Sequence, residues 1–131
     1  MTSTRASSRT SFIDLLGREW RVEFTQKNLQ EIKNMFGIDL AVHINEPHWL
    51  ISAMCTPTPM LAVLLSMAIG FQAVRRKVSP EDFGASIVKD KTTYTYAAFA
   101  MLNSLAELYP DSVLAQKLKT QEIPESLVSL R

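Results

Sequence analysis

His43, His48 and Cys55 are the chain's whole supply of histidine and cysteine. A structural zinc site takes four such ligands, one more than the sequence holds. His48 and Cys55 on one helix would stand about two turns and about 10 Å apart, too far to pass a proton. Cys55 follows Ala53-Met54 in an apolar stretch and reads as a small buried hydrophobe, slow to react with thiol reagents. Serines are plentiful, but none sits in a Gly-flanked nucleophile elbow. Glu81 and Asp82 are adjacent, so on a helix they face different ways and read as capping charges. No Gly-rich phosphate loop is present. The expectation is a protein that is not an enzyme and has no catalytic residues, no metal and no cofactor.

The one basic run, Arg75-Arg76-Lys77, has two readings. It is either the solvated end of a helix, where cations complement the negative pole, or a surface for an acidic partner. A net charge of +1 gives no general reason to expect nucleic acid or an anionic membrane. Apolar residues make up 47% and charged residues 21%, which suits one soluble domain with one core. The most apolar segment, Met60 to Phe71, is too short for a membrane span, which needs about 20 residues. A single cysteine allows no intrachain disulfide and fits a reducing compartment. Residues 1–10 are Ser/Thr-rich without an apolar run and read as a disordered tail, not a signal peptide. The location expected is cytoplasmic, with a single domain over 11–120 and a flexible tail over 121–131.

The elements follow from punctuation and period. Phe12–Leu16 and Glu19–Phe24 read as strands around Gly17-Arg18, a two-residue type II′ loop. That register pairs Leu15 with Trp20 and Ile13 with Val22, and sets Asp14 opposite Arg21 on the other face. Thr25 caps a helix over 26–36 with Leu29, Ile32, Met35 and Phe36 on one face, stopped by Gly37. Residues 38–45 read as irregular or briefly extended. Asn45-Glu46-Pro47 opens a short helix that turns Leu50, Ile51 and Met54 inward.

Thr56-Pro57-Thr58-Pro59 breaks the chain. The next helix has the stripe Leu61, Leu64, Leu65, Ala68, Phe71 and runs on to the basic run. Its opposite side, Ala62, Val63, Met67 and Ile69, is apolar too, so it is either central in the core or shared with a partner. Ser79 and Pro80 open a helix to Val88, and Lys89-Asp90-Lys91 is a polar joint. A long helix over 92–109 carries Tyr94, Ala98, Met101, Leu102, Leu105 and Leu108 along one stripe, leaving Tyr96 and Phe99 off it. Pro110 ends that helix, and 111–119 form one more. The fold class is α+β and helix-dominated: an N-terminal β-hairpin followed by about five or six packed helices.

The runs Gly17-Arg18-Glu19-Trp20, Gly37-Ile38-Asp39-Leu40, Ser79-Pro80-Glu81-Asp82-Phe83-Gly84 and Leu108-Tyr109-Pro110, in this order, resemble the tail assembly chaperones of long-tailed phages and prophages. The resemblance spans roughly 12–110. It implies a non-enzymatic protein of the host cell cytoplasm. Such a protein coats the tape measure protein, recruits tail tube subunits and is absent from the finished particle. Two departures stand: the chain is not acidic, and many such chaperones also have a longer, frameshifted form. A structural subunit of the particle (a connector or tail-completion protein) and a small regulatory binding module are the alternatives.

The expected partner is a tail tube or tape measure protein, with weak self-association. The expected binding surface is Met67, Phe71, Tyr96 and Phe99, with Arg75 and Arg76 at its rim. These residues lie beside or opposite the core stripes, where a small domain has little left to bury them.

Overall fold

A computed structural model describes residues 9–46, 48, 50, 52 and 59–120. Two strands, β1 (Ser11–Ile13) and β2 (Glu19–Arg21), form an antiparallel hairpin. Seven helices follow among the described residues: α1 (Gln26–Phe36), α2 (Leu40–His43), α3 (Pro59–Ala68), α4 (Gln72–Arg75), α5 (Pro80–Val88), α6 (Lys91–Leu108) and α7 (Val113–Thr120). The fold is helix-dominated α+β, as the periodicity predicts. His48, Leu50 and Ser52 are also helical, and Leu50 is fully buried as expected. Ile51, Met54, Cys55 and the break at 56–58 lie outside the described residues, as does the C-terminal tail.

Local chemistry sets most helix ends. The Thr25 hydroxyl accepts from Asn28 N, and the Asn28 side chain accepts from Thr25 N, a reciprocal capping box. Gly37 closes α1 in the left-handed region. Ser79 caps α5 through Asp82 N, with Pro80 at the first position. Asp90, expected in a mere joint, caps α6: its carboxylate accepts from Thr93 N at 2.9 Å and Thr93 Oγ1 at 2.8 Å.

The hairpin differs from its expected register. Phe12 pairs with Trp20, and Ser11 with Arg21, so the connection is residues 14–18 and not Gly17-Arg18 alone. Asp14 turns inward instead of facing Arg21. Leu15 is exposed rather than on the core face with Trp20, and Leu16 beside it is exposed too. The cause is the buried Asp14 carboxylate, which gathers four donors and rolls the loop around itself (below).

Three further expectations fail. Residues 40–43 form the helical turn α2, not an extended segment. Met35 lies 66% exposed, because α1 buries only Leu29 and Ile32 fully and Phe36 in part. The apolar helix does not reach the basic run. It stops at Ala68, Gly70 takes φ +62°, and α4 starts afresh at Gln72.

The central helix is α6. It touches β1, α3, α5 and α7, and its buried residues lie on all sides, from Thr93 and Tyr94 to Ser104 and Leu105. Ser104 Oγ accepts from the buried Phe24 N at 2.8 Å, which ties the hairpin exit to α6. Trp20, Phe12 and Phe83 form an aromatic cluster, with the Trp20 and Phe83 rings edge-to-face at 5.0 Å. Arg9 reaches across to Asn103 Oδ1 and the Leu118 carbonyl, tying the segment before β1 to α6 and α7.

Candidate partner-docking surface

Asp14 organises the hairpin end. Its carboxylate accepts from Trp20 Nε1 at 2.8 Å, Arg18 Nε at 2.7 Å, Arg18 N at 3.0 Å and Leu16 N at 2.9 Å. Burial alone would raise its pKa. The bonds from Trp20, Arg18 and Leu16 outweigh that and hold the carboxyl below its ordinary value. The buried indole finds its acceptor here, which fixes how Trp20 sits. Two guanidiniums lie over the Trp20 ring, Arg18 at 5.5 Å and Arg76 at 4.8 Å. Arg18 Nη2 is buried without a hydrogen-bond partner, so the ring contact and the Asp14 pair hold that side chain.

The Arg76 contact fixes α4 to the hairpin, and Gln72 adds a second tie. Its side-chain amide accepts from Arg21 N at 2.9 Å and donates to the Arg21 carbonyl at 2.7 Å. The other side of α4 is open. Phe71 is 74% exposed and Val74 71%, one turn apart, with Arg75, Arg76 and Lys77 exposed beyond them. Among the described residues the ion pairs Arg18–Asp14 and Lys33–Asp39 involve none of these three cations. Lys77 has φ +58°, and Val78 N donates to the Ala73 carbonyl while Lys77 N donates to that of Val74. This is a Schellman ending with lysine where glycine is usual.

Of the residues expected at the binding surface, the fold brings together Phe71, Arg75 and Arg76 on this corner. Met67, on α3, and Tyr96, on α6, are half-buried against the core. Phe99 is not a surface residue: at 3% exposure it belongs to the core, because α6 is enclosed on all sides. Val74 was not expected there. It lies three residues beyond Phe71 and so shares its face, and the signal that this face turns outward lay in Gly70, whose left-handed backbone ends the line of α3.

Elsewhere, an open depression of about 450 Å³ lies between the β2–α1 connection and the end of α6, with Arg21, Glu23, Gln26 and Glu107 on its walls. A smaller apolar recess of about 160 Å³ lies beneath Arg9. Among the described residues no three His, Cys, Asp or Glu side chains are grouped to hold a metal ion. No helix of the described chain is long and apolar enough to cross a membrane. No family model, curated protein or solved structure matches the chain.

Proposed function

We propose that this protein is a non-enzymatic tail assembly chaperone of a long-tailed phage or prophage. It acts in the host cell cytoplasm, and its α4 corner docks a tape measure or tail tube subunit. The observation that carries the reading is the exposed pair Phe71 and Val74 on an α4 tied to the core through Gln72 and Arg76. Large apolar side chains held outward on a fixed scaffold suit a protein interface, since their burial is favourable and little ordering remains to be done. A long helical tape measure has apolar faces that need cover before assembly, and the four runs that resemble such chaperones fit this role.

The test is co-expression with the products of the flanking reading frames, followed by size exclusion. Co-elution with a tube or tape measure protein, together with absence from purified particles, is the expected result. Retention in purified particles would make the protein a structural subunit, and co-elution with neither product would remove the reading.

A further inference from the structure

Resting on that docking surface, we infer that its occupant is an acidic amphipathic helix, whose apolar face covers Phe71 and Val74 while its carboxylates meet Arg75 and Lys77. Three observations carry this. The first is charge: Arg75, Arg76 and Lys77 are exposed beside the apolar pair and have no carboxylate within ion-pair distance among the described residues. Glu81 and Asp82, the nearest acids along the chain, are placed instead in the first turn of α5, at its positive pole. One corner thus gathers three cations without a carboxylate partner among the described residues, which selects for carboxylates at the rim of the contact.

The second observation closes strand addition beside α4. A peptide could add as a strand only to a free sheet edge, and β2 runs next to α4. The outward N–H and carbonyl of Arg21 are already taken by the Gln72 amide, and Glu23 N donates to the Ala68 carbonyl. The occupant must be read through side chains, which is how a helix is read. The third is the size of the apolar face. One turn with two exposed apolar residues matches a single ridge of a partner helix. It is too small to insert into a lipid surface, which takes a long apolar face.

The experiment is fluorescence anisotropy of the full chain with three labelled helical peptides. They share one apolar face and carry glutamate, glutamine or lysine at the flanking positions. The glutamate peptide should bind about tenfold tighter than the glutamine peptide and the lysine peptide weakest, with the spread shrinking as salt rises from about 0.05 to about 0.5 M. The double substitution Arg75→Glu/Lys77→Glu, which leaves Arg76 on Trp20, should reverse the order. Equal affinities, no binding of the glutamate peptide, or equal binding of a proline-interrupted glutamate peptide would overturn the inference. Tighter binding to phosphatidylserine vesicles would overturn it too, as would a self-dimer that excludes the peptide in sedimentation velocity. Phe71→Asp separates the two levels. If it abolishes co-elution with the tail subunit while the peptides show no charge order, the docking surface stands and only the acidic occupant falls. If co-elution survives it, the surface itself is wrong.

Discussion

The side-chain amide of Gln72 closes both outward backbone groups of Arg21, standing in for a third strand on the edge of β2. The same Nε2 also donates to the Ile69 carbonyl at 2.7 Å, so one amide joins the turn after α3, α4 and the hairpin. Gln72→Ala should lower stability by about 1 kcal/mol in urea unfolding, since these bonds lie near the surface. It should also leave a short strand edge open, seen as faster aggregation on mild heating. Unchanged stability and aggregation would mean that the amide only decorates the edge.

Asp14 sets a pH dependence. Its folded pKa lies below the ordinary value, so the carboxylate contributes stability that is complete above the unfolded pKa. That contribution is lost as pH falls from about 4 through the lower folded value. Asp14→Ala leaves the buried Trp20 N–H and the Arg18 charge without their acceptor and should cost about 3 kcal/mol at neutral pH. The variant's unfolding midpoint should then fall less steeply between about pH 4 and 2 than that of the parent protein. Parallel pH profiles would contradict this.

What was legible in the sequence was whatever the chain decides locally. Thr25, Gly37 and Ser79-Pro80 marked helix ends because caps need only neighbouring backbone groups. The hairpin was legible as a pair of strands, but its register was not. A type II′ pattern around Gly17 competes with a buried carboxylate that gathers the Trp20 indole, and the second wins through burial that no local pattern displays. Phe99 misled for the same reason: a position off the main stripe is exposed on an outer helix and buried on the central one. The exposure of Arg75 and Arg76 was legible from a basic run at a helix end, whereas the sequence put Phe71 both on the core stripe and at the surface, and only the structure shows it exposed. Val74 needed the left-handed Gly70 to be recognised as a stop.

Lys77 holds a left-handed backbone that costs a non-glycine residue about 1 kcal/mol. Lys77→Gly should therefore raise stability by about 0.5–1 kcal/mol, whereas Lys77→Ala should not. Strain kept at an exposed cation beside Phe71 and Val74 fits a corner that serves binding. Thermal unfolding of the two variants side by side checks it, and equal midpoints would contradict the strain.

Phe99 and Phe71 should behave as opposites. Phe99→Asp places a charge in the core and should cost about 4 kcal/mol or more, enough to unfold a marginal domain. Phe71→Asp is exposed and should change stability by less than about 0.5 kcal/mol. Circular dichroism melts separate the two, and a folded Phe99→Asp would contradict the central place given to α6.

The docking role of the α4 corner is tested most directly by size exclusion after co-expression with the flanking tail gene products, comparing the parent chain with Phe71→Asp and Val74→Asp. The account predicts that the parent co-elutes with a tube or tape measure subunit, while both variants melt like the parent and elute alone. Co-elution of the folded variants at the parent's level would contradict it.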